Sequence, residues 1–109
     1  QVVGSYNAAA VEQYGSLQYA NAIQTGDDNI AGIMQAGTDT NLAFTDQSGD
    51  YNEAYIDQAG ALLDATIVQS GMGTAADPNI ASISQYTTLD SATITQIYGH
   101  GNQAVITQM

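Results

Sequence analysis

Small and aliphatic residues alternate with polar ones in short runs along this chain, and each run closes on a glutamine. In Asn29 to Gly37, NIAGIMQAG, an extended backbone puts Asn29, Ala31, Ile33 and Gln35 on one face and Ile30, Gly32 and Met34 on the other. The seven-residue pattern recurs nine times, as Asn7 to Gln13, Gln18 to Gln24, Asn29 to Gln35, Asn41 to Gln47, Asn52 to Gln58, Leu63 to Gln69, Asn79 to Gln85, Asp90 to Gln96 and Asn102 to Gln108. Its third residue is always Ala, and its fifth is Ile in five copies (Ile33, Ile56, Ile67, Ile83, Ile94) and again in the last (Ile106), with Val11, Ala22 and Thr45 in the others. A period of two with these residues predicts nine strands.

The closing glutamines are 11, 11, 12, 11, 11, 16, 11 and 12 residues apart. Seven residues of strand and four of turn account for 11. Gly15, Gly26, Gly37, Gly49, Gly60 and Gly71 each stand two places after a closing Gln, where a sharp reversal is expected to require a backbone state that a Cβ disfavours. The one long interval contains the insertion 71–78, GMGTAADP, which reads as a surface loop, with Pro78 outside any strand. Residues 1–6 read as a lead-in, with Gln1, six places before Asn7, the candidate last residue of a truncated earlier strand.

A longer period lies above the first. Odd copies all begin with Asn, even copies with Gln18, Asn41, Leu63 and Asp90, so the full repeat is 22 to 23 residues, two strands and two turns. That length predicts an all-β, two-sheet parallel β-solenoid of cross-β type, about 4.5 rungs over residues 7–109, with odd strands in one sheet and even strands in the other. Inward Ala and Ile give a thin core. The inward amides, Asn7, Gln13, Gln24, Asn29, Gln35, Asn41, Gln47, Asn52, Gln58, Gln69, Asn79, Gln85, Gln96, Asn102 and Gln108, are expected to stack into ladders between rungs about 4.8 Å apart. A stacked amide donates to one neighbouring rung and accepts from the other, so burial leaves it satisfied only when the rungs are in register.

Charge narrows the partners. Eleven acidic residues face no Lys or Arg, giving a formal charge of −11 that disfavours nucleic acid and anionic membrane. No apolar run reaches the roughly 18 residues of a membrane span, so membrane insertion is not expected. No basic start followed by an apolar stretch is visible, consistent with removal of a secretion signal from a secreted chain. Without cysteine there is neither a disulfide framework nor a thiolate metal site. Asp27, Asp28, Asp39, Asp50 and Asp77 fall in turns; they lack the GGxGxD spacing of a calcium solenoid, and few of them are expected to align from rung to rung. Their mutual repulsion is expected to slow assembly at low salt. His100 stands alone in a Gly-rich turn without a positioned partner, so no catalytic residue, metal or cofactor is assigned. Outward Tyr19, Phe44 and Tyr55, with Ile30 and Met34, offer a surface for lateral association.

Neither end of such a stack carries a charged or proline-rich blocking strand, and ends that copy the interior accept another molecule head to tail. The repeated N-x-A-x-I-x-Q-x-G, across Asn7 to Gln108, resembles bacterial curlin, the subunit of curli amyloid fibres, as does the ending ITQIYGHGNQAVITQM. The resemblance implies export as an unfolded chain through outer-membrane secretion machinery, with a nucleator subunit as partner. It implies homopolymerisation outside the cell into fibres of the biofilm matrix that support surface adhesion and cell aggregation. A regular last repeat without basic residues favours the major subunit. The family's usual Ser at the start of even strands is replaced here by Gln18, Asn41, Leu63 and Asp90, and its Gly-rich N-terminal segment is not seen. Two rivals stay open: a monomeric adhesin with capped ends, and an ice-binding solenoid, for which Phe44 and Ile23 interrupt the outward threonines Thr66, Thr93 and Thr95. A β-helix enzyme would need convergent acids or bases in a cleft.

Overall fold

The alternating pattern forms ten strands and no helix in the computed structural model, which describes residues 1–109. They are β1 (Val2–Val3), β2 (Ala8–Gly15), β3 (Gln18–Thr25), β4 (Ile30–Gly37), β5 (Asn41–Ser48), β6 (Asn52–Ala59), β7 (Asp64–Ser70), β8 (Asn79–Gln85), β9 (Ser91–Ile97) and β10 (Gln103–Gln108). One five-stranded sheet runs β1-β3-β5-β7-β9 and the other β10-β8-β6-β4-β2, with every pair of neighbours parallel. Each turn of the chain adds one strand to each sheet. The result is a two-sheet β-solenoid of about five turns.

Register follows the repeat. In one sheet Gln24, Gln47, Gln69 and Gln96 are paired in succession, and in the other Gln13, Gln35, Gln58, Gln85 and Gln108. The alanines and isoleucines two and four places before them interdigitate as one core of Ile33, Ala43, Ala54, Ile56, Ala65, Ile67, Ala81, Ile83, Ala92 and Ile94. Pairing a Cβ-sized residue with a branched one keeps the sheets close enough for side-chain amides to reach across. A one-residue slip would turn all of these outward, which is why the pattern holds the register.

Three expectations are corrected. Most strands run past the closing glutamine, β2 to β6 reaching eight residues, and the turns at 16–17, 38–40 and 49–51 are shorter than four. The closing place in the lead-in belongs to Val2, paired with Gln24, and not to Gln1. Val2 stands 11 residues before Gln13, the ordinary interval, and its own turn glycine is Gly4, with φ of 116° against 115° at Gly26. The turn glycines are not alike: Gly49 has φ of 104°, whereas Gly37 has no positive φ and is required because a Cβ there would lie 1.8 Å from the Gly60 carbonyl oxygen of the next rung. Among the turn acids, Asp27 and Asp50 are the pair that aligns. The Asp50 carboxylate accepts from the Asp27 amide at 2.9 Å, and the Asp27 carboxylate accepts from the Ser5 amide at 2.7 Å. Each carboxylate gains a backbone donor there, which offsets the repulsion of stacking like charges.

The extra residues of the long interval leave the two sheets undisturbed. Thr74 and Asp77 bridge each other in a small antiparallel loop, Gly73 N–H donates to the Asp50 carbonyl at 2.8 Å, and Asn79 rejoins in register opposite Asn52.

Candidate functional site: the interior amide ladders

The glutamine ladders have a direction. Gln13 Nε2 donates to Gln35 Oε1 at 2.8 Å, Gln35 to Gln58 at 2.8 Å, Gln58 to Gln85 at 2.9 Å and Gln85 to Gln108 at 2.8 Å. In the second sheet Gln24 donates to Gln47 at 3.1 Å, Gln47 to Gln69 at 3.0 Å and Gln69 to Gln96 at 2.8 Å. Every amide thus points its N–H toward the later turn. Gln24, Gln35, Gln47, Gln58, Gln69 and Gln85 are buried; Gln96 and Gln108 on the last turn are half-buried, and Gln13 on the first is exposed.

A glutamine amide has two N–H groups, and the second one ties the sheets together. Gln35 donates to the Tyr19 carbonyl at 3.0 Å, Gln47 to Ile30 at 2.8 Å, Gln58 to Leu42 at 2.9 Å and Gln96 to Ile80 at 3.1 Å, in each case across the core to the start of the preceding strand. Gln24, Gln85 and Gln108 do the same to Ala8, Asp64 and Ser91, while Gln69 reaches forward to Asn79. Periodicity along one strand carried no signal for this bond, because it depends on the distance between sheets.

Asparagine stacks run the opposite way. Asn52 Nδ2 donates to Asn29 Oδ1 at 3.1 Å, Asn79 to Asn52 at 3.0 Å and Asn102 to Asn79 at 3.2 Å, toward the earlier turn. The backbone amide of Asn29 donates to Asn7 Oδ1 at 2.9 Å. The same side chains also hold the turns: Asn7 bonds the Gly26 carbonyl at 2.6 Å, Asn29 that of Gly49 at 2.7 Å and Asn41 that of Gly60 at 3.2 Å. In the second sheet the column is broken at Leu63, whose side chain is fully buried while its amide still donates to Asn41 Oδ1 at 3.0 Å.

Three buried polar atoms have no partner: Gln18 Oε1, Gln24 Oε1 and Thr45 Oγ1. Gln24 lacks a donor because Val2 occupies the place above it. Thr45 stands where Ile67 and Ile94 stand in later turns of its sheet. Replacing a hydroxyl without a partner by a methyl removes its desolvation cost, so Thr45→Val is expected to raise stability by about 1 kcal/mol. A higher denaturant midpoint at unchanged slope would show it, and a lowered midpoint would refute it.

The titrating groups are peripheral. Tyr51 is held above the usual 10.0 mainly by the Asp28 carboxylate, and Tyr55 above 10.0 by burial first and then by Glu53. The folded chain keeps these protons more tightly than the unfolded one, so their contribution is intact below about pH 10 and is lost as pH rises past it. His100 is exposed and sits 2.7 Å from the Asp77 carboxylate on the insertion. No group of three His, Cys, Asp or Glu side chains comes together to hold a metal ion.

Polar ladders along a stack of parallel rungs, with an apolar core between, are the architecture of a cross-β structural subunit. The curlin associated repeat model matches residues 38–71 and 77–108, more than half of the chain. The chain belongs to that family, a family of curli-type amyloid subunits. The copies before residue 38 lie outside the match, yet pair in the same register. No curated protein matches the chain.

Proposed function

We propose that this chain is a repeating subunit of an extracellular amyloid fibre that grows end to end, as the bulk component rather than the nucleator, and contributes to biofilm matrix, surface adhesion and cell aggregation. Nucleator subunits and outer-membrane export machinery are its expected partners. The observation that carries this reading is the direction of the ladders. With β2 of one copy laid beside β10 of another, the Gln108 N–H of one faces the free Gln13 Oε1 of the other, and the asparagine column meets with the opposite polarity. A head-to-head contact would set donor against donor. Open strand edges supply the backbone pairing, and the translation of one rung is the same inside a subunit as between subunits.

Purified chain is expected to form unbranched fibres with a repeat near 4.8 Å in diffraction. Gln13→Lys tests the seam itself. The ammonium still donates to Gln35 within the chain but offers no acceptor to an incoming Gln108, leaving a charge buried and unpaired at the joint. Elongation from preformed seeds is expected to slow at least about tenfold, since about 1.4 kcal/mol of lost contact corresponds to that factor. Soluble monomers that never elongate would instead favour a capped adhesin. Unchanged elongation of Gln13→Lys would overturn the seam.

A further inference from the structure

Just before three successive strands of one sheet, Tyr6, Asp28 and Tyr51 occupy the same place in consecutive turns, with φ of 57°, 57° and 54°. The shared left-handed backbone projects the three side chains from one corner of the solenoid as a column with steps of about 4.8 Å. Together with Ile30, Glu53 and Pro78 they line a cleft of about 270 Å³. The insertion forms one wall, anchored on either side of the loop by Gly73 N–H to the Asp50 carbonyl at 2.8 Å and Asn79 N–H to the Tyr51 carbonyl at 3.2 Å.

The chemistry of this cleft is selective. Tyr6 and Tyr51 lie one rung on either side of Asp28, so two phenol rings flank one carboxylate, and Glu53 adds a second, held by the Tyr55 hydroxyl at 3.3 Å. The chain has no Lys or Arg to neutralise either acid, and its single His pairs with Asp77. The rise in the Tyr51 pKa is the signature of the Asp28 charge acting on its hydroxyl. Two carboxylates fall short of the six to eight oxygen ligands of a calcium site. Aromatic rings with an acid at their base suit a cation that is itself partly apolar, because ring quadrupoles attract it and its carbon shell tolerates Ile30 and Pro78.

We propose that this cleft binds a compact organic ammonium group, a lysine side chain or a quaternary ammonium, between Tyr6 and Tyr51 and against Asp28 and Glu53. The site lies on the flank of the first three turns. Tyr6 stands on the terminal rung beside the seam proposed for end-to-end growth, whereas Asp28 and Tyr51 lie on inner rungs.

Tetramethylammonium chloride titrated against the folded full chain, at ionic strength held constant with sodium chloride, tests it through broadening of the ligand's methyl proton signal. One saturable site is expected. Asp28→Asn and the pair Tyr6→Leu with Tyr51→Leu should each weaken it at least tenfold, whereas Tyr51→Phe, which keeps the ring, should retain it. Tyr86→Leu, outside the cleft, should change nothing. Circular dichroism confirms that each variant keeps its β structure; if the double leucine variant does not, Asp28→Asn and Tyr51→Phe decide. Competition by Nα-acetyl-lysine amide assigns the natural source to a peptide lysine, and competition by choline alone assigns it to a quaternary headgroup. Displacement by sodium in step with its concentration, or undiminished binding by Asp28→Asn, would overturn the proposal.

Discussion

Alanine at Gly49 is expected to be among the most damaging single substitutions in the chain, lowering stability by at least about 3 kcal/mol. Two costs combine. The backbone there has φ of 104°, and an added Cβ would sit 2.0 Å from the Gly71 carbonyl oxygen of the next rung. A non-glycine residue in such a conformation costs of the order of 1–3 kcal/mol even without a clash. The clash is with backbone, so relief requires the two rungs to separate, and that breaks the Gly71 N–H bond to the Ser48 carbonyl and the Asn52 bond to the Gly71 carbonyl. Gly71 provides the internal control. It has no positive φ, and a Cβ would meet its nearest atom, the Gly99 carbonyl oxygen, at 3.0 Å, so Gly71→Ala is expected to cost about 1 kcal/mol. Denaturant midpoints of the two variants read the difference directly. Equal midpoints would mean that the turns are loose and that stacking does not constrain them.

That contrast shows where the sequence is legible and where it is not. The inward alternation could be read because it is written along a single strand: Ala31, Ile33 and Gln35 keep their spacing in nearly every copy, and side-chain direction follows from extended backbone alone. Gly49 and Gly71 look identical at that level, since both stand two places after a closing glutamine. What separates them is the neighbour on the next rung: Gly49 meets Gly71 at the same place in the repeat, whereas Gly71 meets Gly99, which stands three places after its closing glutamine. Val2 escaped for a simpler reason, being an apolar residue in a column recognised by its amides. The left-handed residues Leu17, Tyr51, Leu62 and Leu89 carry no local signal either, because glycine or asparagine is the usual occupant of that backbone state and neither is present. Their conformation is imposed by the need to enter the next strand in register. The Tyr6, Asp28 and Tyr51 cleft is a product of the same constraint, visible only once the turns are stacked.

Gln58→Ala removes the middle of the longer ladder and is expected to cost about 3–6 kcal/mol. Gln58 is fully buried, accepts from Gln35 at 2.8 Å and donates to Gln85 at 2.9 Å and to the Leu42 carbonyl at 2.9 Å. Truncation leaves the Gln35 N–H without an acceptor and Gln85 Oε1 without a donor, each a buried orphan worth about 1–3 kcal/mol, and a cavity adds to this. Against a total stability of about 5–15 kcal/mol for a domain, such a loss moves the unfolding midpoint far. Gln58→Met divides the effect, since it fills most of the space but restores no hydrogen bond. Two outcomes are then distinct. If methionine recovers most of the loss, the ladder acts chiefly as packing. If it recovers little, the amides themselves hold the rungs, and register is enforced by the hydrogen-bonding demand of each glutamine on its neighbours. The second outcome is expected, because the orphaned partners remain in both variants. Gln13→Ala gives the lower bound: exposed, and giving up one side-chain bond to Gln35, it should cost about 1 kcal/mol in the isolated chain. Once a second copy covers that end, the same residue lies inside a continuous ladder. Its substitution should then cost more in the fibre than in the monomer, and a fibre no more sensitive than the monomer would contradict a ladder running through the joint.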